Sequence, residues 1–441
     1  MTSLVQYENW LWGFQMAWFW INLCLIVALA LLSHEKGERS LDRHFVLAAL
    51  FCLLASLSAA HGLLLWLAVL PSLWVRSWKS RKPLLPIVFW FGCFLGTTIL
   101  YFFDYQKPRH NVDNSYILKA PMDGIKFFFA VLGRPLSSEP SNAIVWGILL
   151  SIASLVTISL FLRQRTHRDA LAPWLSLMLF PLGFAAITTV GRASLGLPAA
   201  LASRYTTVSL LLIVGLVYVA QHYVKTSGWK IRFGYRAVAA GIAVILITTS
   251  LSFWERGTVF RNERLLGKTC LSLVEYLEDS QSSCVQKVFP HVAAVKYWWS
   301  YRLDRLGFVE RLNDVEFRDR PQPSCGSLNS STSPQAVELS ESDFVHMSGE
   351  LHFENCSSVL PVVFLSRNDK QEMFAASIVR DFSDRSRKSQ IWAAAFFSND
   401  LQPGRNSIRA WVYDPESSAF LSLENSLELQ VSATPLADGS P

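Results

Sequence analysis

Recognisable catalytic signatures are missing from this chain. It has no Walker loop, no glycine-rich dinucleotide fingerprint, no His-Glu-x-x-His pair and no Gly-x-Ser-x-Gly elbow. P-loop hydrolysis, Rossmann-type redox chemistry, zincin chemistry and α/β-hydrolase chemistry therefore have no foothold, and no cofactor is implied. Charged residues are scarce, at 17%, against about 25% in ordinary soluble domains. Cys270, Cys284, Cys325 and Cys356, four of the seven cysteines, show no zinc-ligand spacing. There is no internal repeat. Residues 1–9 carry no basic n-region, and the apolar stretch after them is too long and too aromatic for a leader, so none is expected. Long apolar runs are also absent, but only beyond about residue 255.

That last absence divides the chain. A membrane span needs about 20 mostly apolar residues. Trp10–Leu32, Leu84–Phe103, Ala143–Leu162, Ala172–Val190, Tyr205–Ala220 and Ala237–Trp254 reach or approach that length. Phe45–Val75 is too long for one upright helix and is broken near Ser58–Gly62, so it is expected to form two short helices turning at His61-Gly62. The expectation is an α-helical polytopic bundle of about eight spans over residues 1–256.

The net charge of +6 is spread over short membrane flanks, which argues against a nucleic-acid partner. Fourteen basic residues fall in alternate loops at 36–43, 76–82, 163–168 and 225–236, and seven in the loops between them. The positive-inside rule places the richer set in the cytoplasm. Both termini, the 104–141 loop, the 191–204 loop and everything after Trp254 are then extracytoplasmic. Gly124–Leu132 in the first of those loops reads as a short helix lying at the interface. An integral protein of the bacterial inner membrane, in contact with membrane lipids, is the expected setting. Cys24, Cys52 and Cys93 fall in spans as packing residues. Cys270, Cys284, Cys325 and Cys356 lie in the outer portion, where disulfides form. Of three possible pairings, Cys270–Cys284 with Cys325–Cys356 is preferred, because the first closes a local helical hairpin.

Residues 257–311 read as a small soluble helical segment. Residues 312–342 are rich in Ser, Pro, Asn and Asp and read as a linker. From 343 to 431 the period changes to two: Val345, Met347, Gly349, Leu351 and Phe353 alternate with polar residues. Five further short strands follow, separated by turn signals such as Gln402–Arg405 and Asp414-Pro415. This pattern suggests an Ig-like or fibronectin-like β-sandwich, followed by a disordered tail over 432–441.

Several polar residues stand out of place. Glu8, Trp12, Gln15, Phe19 and Asn22 would share one helical face, with Glu8 and Gln15 lining an outward-facing substrate cavity or making interhelical hydrogen bonds. Arg192 and Arg204 bracket one outer loop, with Tyr205 following. Their guanidinium forks suit phosphate oxygens, although headgroup contact by snorkelling explains them equally. His61, in the outer turn of the helix pair, is a candidate phosphate ligand or proton carrier, or a satisfied structural residue. Asp104, Asp113, Asp123 and His110 occupy the outer loop. Asp104 follows a span directly, and a solvated loop accounts for the group.

The short helix pair Leu53–Trp74, with the strings Glu8–Gln15 and Ser203-Arg204-Tyr205-Thr206, resembles GT-C type glycosyltransferases and bacterial multi-pass proteins loosely akin to them. The likeness covers roughly residues 1–310. It implies transfer of a sugar from a polyprenyl-phosphate donor on the outer membrane face. Such enzymes carry a catalytic carboxylate in the first outer loop, after the first span. Here Glu8 is the one acid before Trp10 and is not in a loop motif of that type. The resemblance therefore implies either a chain lacking its first helices or a non-catalytic relative, and it transfers no catalytic residue. Glu8 and Asp104 are the candidate acids. Arg192, Arg204, Tyr205, His61 and Gln15 are the candidate substrate-binding residues, and no metal site is expected. The alternative is a non-catalytic anchor presenting a β-sandwich for envelope assembly or glycan binding. A transporter has less support, since no inverted repeat is visible.

Overall fold

The computed structural model describes residues 3–11, 13–34, 41–78, 84–105, 115–225, 229–278, 283–288, 294–319, 324–329, 337–339, 343–356, 358–368, 372–379 and 389–431. Trp12, His110, Asp113 and the 432–441 tail lie outside them, as do several basic flank residues used in the charge comparison. The chain forms two compact units, Met1–Gly257 and Thr258–Pro441.

The first unit is helical. After the short helix α1 (Tyr7–Leu11) come α2 (Met16–Leu32), α3 (Arg43–Ser58), α4 (Ala60–Trp78) and α5 (Leu84–Phe102). Then follow α6 (Pro121–Gly133), α7 (Pro140–Arg163), α8 (Arg168–Arg192), α9 (Thr206–Lys225) and α10 (Trp229–Leu251). Among the described residues, six helices are long and apolar enough to cross a membrane. The count is seven if the pair Leu4–Leu11 and Met16–Leu32 is one span, and Arg43–Ser58 is a shorter apolar helix.

Three details depart from the sequence reading. The stretch Trp10–Leu32 is not one helix, because Leu4–Leu11 and Met16–Leu32 meet at 107°. The break between α3 and α4 falls at Ala59, which is extended, rather than at His61-Gly62. Gly62 is needed for a different reason: a Cβ there would overlap the Ala55 carbonyl oxygen. Finally, α6, read as a helix lying at the interface, is seated on the bundle by one face, while Met122, Ile125 and Lys126 on the other are exposed. Its Phe127, Ala130 and Val131 are fully buried, and it packs on α7 and α8. Gly147 of α7 permits that approach, since a Cβ there would overlap the Phe129 carbonyl; small residues play this part widely in membrane bundles.

Polar bonds tie the apolar helices. Trp66 Nε1 donates to Ser56 Oγ (3.1 Å), Trp90 Nε1 to the Trp66 carbonyl (2.9 Å) and Ser209 Oγ to the Val131 carbonyl (2.8 Å). Ser72 and Ser176 share a bond of 3.0 Å between α4 and α8. At one end of the bundle, Arg76 donates to the Leu32 and His34 carbonyls of the end of α2 and to Asp42, the N-cap of α3, at 2.6 Å.

The second unit joins helices to strands. Helix α11 (Trp254–Ser272) enters it, and Cys270 is bonded to Cys284. Nine strands follow among the described residues: β1 (Glu316–Arg318), β2 (Gly326–Leu328), β3 (Val337–Leu339), β4 (Phe344–His352), β5 (Val362–Arg367), β6 (Met373–Ile378), β7 (Ser389–Phe397), β8 (Gly404–Asp414) and β9 (Ala419–Val431). The first three lie within the stretch read as a linker. Among the described residues each is three residues long; all three pair with β9, and β2 also with β4.

The strand order is β6-β5-β8-β9-β2-β4-β7. The pairs β5–β6, β5–β8, β8–β9, β2–β4 and β4–β7 are antiparallel, while β1, β2 and β3 pair with β9 in parallel. Alternation explains β4 and β7, whose every second residue is buried. Their Met347, Leu351 and Trp392 share a core with Leu365, Val412 and Leu423 of β5, β8 and β9. Cys325 is bonded to Cys356 beside that core.

The helical part of this unit is not a free segment. Leu266, Leu271, Leu277 and Val285 pack with Phe364, Trp411 and Phe420, the opposite face of β5, β8 and β9. Leu277 bridges Met373 of β6, and Arg367 of β5 pairs with Glu278 at 2.8 Å. Both faces of these strands are therefore covered, and β5 accordingly buries consecutive residues rather than alternate ones.

Candidate functional site

One polar cluster of the helical unit gathers where the 107° bend meets the short 3₁₀ turn Ser203–Tyr205. The Glu8 backbone N–H donates to Ser203 Oγ (3.1 Å), and the Arg204 N–H donates to Glu8 Oε2 (3.3 Å). The Arg204 guanidinium lies 4.0 Å from the same oxygen and 5.4 Å from the Tyr205 ring centre. Asn9 donates to the Arg204 carbonyl (3.0 Å) and to Thr207 Oγ1, which donates to Gln6 Oε1. The bend is what turns Glu8 toward the 203–207 turn. A straight helix would carry it onto the face of Gln15 and Asn22.

Next to this layer sits Arg134, in the turn after α6 and 2% exposed. Its Nε donates to the Leu201 carbonyl (2.6 Å) and its Nη1 to the Ser137 carbonyl (3.1 Å). Its guanidinium lies 4.6 Å from the Phe253 ring centre, and that of Arg256 lies 5.0 Å from it. Burial pushes the Arg134 pKa down to about 10, opposed by Tyr7 and Glu8 and assisted by Arg256. It therefore stays charged at neutral pH. The guanidiniums of Arg134, Arg204 and Arg256 thus lie around Glu8, with Glu255 beside Arg256 and Glu139 near Ser137 as exposed acids of the same region. Leu4 N–H to Ser250 Oγ (2.7 Å) and Thr249 Oγ1 to the Leu136 carbonyl (3.4 Å) fasten the end of α10 here.

An aromatic box adjoins the charges. His61 is 8% exposed, with its ring centre 4.6 Å from that of Trp18 and 5.4 Å from that of Phe184. Tyr205 is buried and within 6.1 Å of Trp18 and 5.8 Å of Phe184. Gln15, one turn before Trp18, is buried. Its Oε1, His61 Nε2 and both amide atoms of Asn22 have no hydrogen-bond partner among the described residues. A buried polar atom without a partner costs about 1–3 kcal/mol, so these atoms suit water or a hydroxyl-bearing guest.

The structure thus brings Glu8, Arg204, Tyr205 and His61 into one neighbourhood, with Gln15 on the adjoining turn of α2. It leaves two candidates aside. Arg192 is exposed at the end of α8 and takes no part in the Glu8–Arg204 pair. Asp104 is exposed in the turn that ends α5, with φ +56°, a conformation Asp tolerates better than most residues. Asp123 accepts from the Tyr116 hydroxyl at 3.0 Å. Among the described residues, no group of three His, Cys, Asp or Glu is placed to hold a metal. Sequence reasoning missed Arg134, Arg256 and Trp18. The two arginines have the ordinary look of loop cations, and Trp18 sits within an aromatic run.

The apolar helices, with a charged layer at one end, fit a multi-pass membrane protein carrying a β-rich domain. No protein-family model matches the chain, and neither do the curated proteins or the solved structures.

Proposed function

We propose that the protein is a multi-pass membrane protein related to GT-C type glycosyltransferases. In this reading its charged layer binds the phosphate of a polyprenyl-linked sugar at the extracytoplasmic face. The observation that carries it is the grouping of the buried Arg134 guanidinium with Glu8, Arg204 and Arg256 at one end of an apolar bundle. Charge near hydrocarbon costs a few kcal/mol unless paired or hydrated, and a phosphate would offset the charge of the buried Arg134 and its neighbours. In this reading Arg134 and Arg256 join Arg204 in the layer for which Arg192 was the expected second arginine. The unpartnered Gln15, Asn22 and His61 atoms, beside Trp18 and Tyr205, offer hydrogen bonds and ring faces to a sugar. Glu8 is then the acid best placed to accept a proton from an attacking hydroxyl. The two disulfides of the second unit support an oxidising, extracytoplasmic side, as does the fourteen-to-seven loop bias.

The test is binding of a polyprenyl phosphate to the full chain in detergent. Arg204→Lys keeps the charge but loses the fork, so binding should weaken about tenfold, the equivalent of about 1.4 kcal/mol. Glu8→Gln removes the competing carboxylate and should tighten it. Unchanged binding in both variants would defeat the reading.

A second reading has its own support. Arg134 and Glu8 already use their hydrogen-bonding atoms on Leu201, Ser137 and Arg204, as purely structural groups would. The bundle would then be a non-catalytic anchor. The strand domain, as a two-sheet sandwich with β5, β6, β8 and β9 facing β2, β4 and β7, would be the working part in envelope assembly or glycan binding.

A further inference from the structure

A separate feature lies on the flank of the bundle. Helices α7 and α10 each pack on α9, and between them runs a groove of about 450 Å³. Its walls are apolar, from Leu149, Ala153 and Leu160 of α7 to Leu216 of α9 and Val238 and Ile242 of α10. Tyr223 and Tyr235 line it toward one end, with their hydroxyls turned to Gln164 Oε1 (2.9 Å) and the Val217 carbonyl (3.2 Å). Such walls suit a hydrocarbon chain.

The groove's tyrosine end is basic. On α7, the lining positions 149, 153, 156 and 160 continue one turn on to Arg163, which is exposed. On α10, the lining positions 235, 238, 239 and 242 run back to Arg232. Arg232 Nη2 donates to the Lys225 carbonyl at 3.2 Å, which holds it at the end of α9. Lys225 is itself exposed. The acids at this end of the bundle among the described residues are Asp169 and Asp42, and Asp42 is bonded to Arg76.

We propose that this groove binds a bilayer phospholipid with an anionic head group, its phosphate between Arg163 and Arg232 and one acyl chain along α9. Guanidinium forks match phosphate oxygens, and basic pockets between membrane helices recognise anionic lipids. The length fits as well. Trp146 to Leu160 covers about 21 Å at 1.5 Å per residue, more than the ~15 Å of one leaflet's hydrocarbon, so the groove accepts a chain anchored at its basic end. The proposal rests on the bundle being a membrane domain, and is independent of any sugar transfer at Glu8.

The test uses the full chain in a neutral detergent with dioleoylphosphatidylglycerol, dioleoylphosphatidylcholine or inorganic phosphate added. Phosphatidylglycerol should raise the Tm and stay bound as a single lipid in native mass spectrometry. Phosphatidylcholine should do so far less, and inorganic phosphate should have no effect. The double variant Arg163→Gln, Arg232→Gln should lose the preference between lipids. Ala153→Phe, which fills the groove, should weaken retention of both. Equal effects of the two lipids on the unaltered protein would overturn the proposal. So would a phosphatidylglycerol effect that survives the double variant, or one that inorganic phosphate reproduces.

Discussion

Arg76 shows how one side chain can organise an end of the helical unit. Its guanidinium reaches two carbonyls at the end of α2 and the carboxylate of Asp42, which also caps α3 through the Phe45 N–H at 2.9 Å. Burial alone would raise the Asp42 pKa, but the Phe45 N–H, Arg76 and His44 outweigh it and the net shift is downward. Hydrogen bonds to charged groups contribute about 1.5–3 kcal/mol. Arg76→Gln should therefore cost about 2 kcal/mol and lower the unfolding midpoint in detergent. An unchanged midpoint would show that water replaces the guanidinium. Asp414 plays a similar part in the strand domain. Burial pushes its pKa up, but Ser358, Ser417 and the N–H groups of Glu416 and Ser417 bring it below the ordinary value. A depressed carboxylate contributes stability above its unfolded pKa of about 3.9, and that contribution is lost as pH falls through the folded value. Asp414→Asn should flatten the pH dependence of unfolding below about pH 4, while the unaltered protein keeps a steeper one.

At the level of elements, hydropathy and period-two alternation exposed most of what is there. Spans need continuous apolar sequence, and β4 and β7 need one buried face, so both leave a pattern in the residues themselves. What stayed hidden depends on partners distant in sequence. Nothing local in Gly124–Leu132 says whether its apolar face meets lipid or protein; Gly147 and Phe129 of the α6–α7 contact decide that. Likewise, the 257–311 stretch reads as a separate soluble segment until β5, β8 and β9 are seen to offer it a second apolar face. Glu8, Arg204 and His61 were legible as polar groups out of place in apolar sequence. Arg134 was not, because nothing in its own sequence marks it as buried. The Cys270–Cys284 bond locks the helical part, closing a loop of 14 residues, a constraint worth about 3 kcal/mol. Cys284→Ser should lower the stability of the second unit by about that amount in a proteolysis assay on the full chain. A variant as resistant as the unaltered protein would show that the packing of α11 on the sheet suffices.

For the molecule as a whole, two units of different composition are made by the same chain, one stabilised by helix packing with buried polar bonds, the other by a disulfide-tied sheet. The proposed chemistry lies in the polar cluster of Glu8, Arg134 and Arg204 at one end of the apolar helices. The most direct measurement is photo-crosslinking of the full chain in lipid vesicles with a polyprenyl phosphate that carries a diazirine next to the phosphate. The account predicts label concentrated in the peptides around Glu8, Arg134 and Arg204, with competition by unlabelled polyprenyl phosphate and loss in Arg204→Lys. Label distributed evenly over the exposed apolar surfaces of α5, α7 and α10, and indifferent to that competitor, would contradict it.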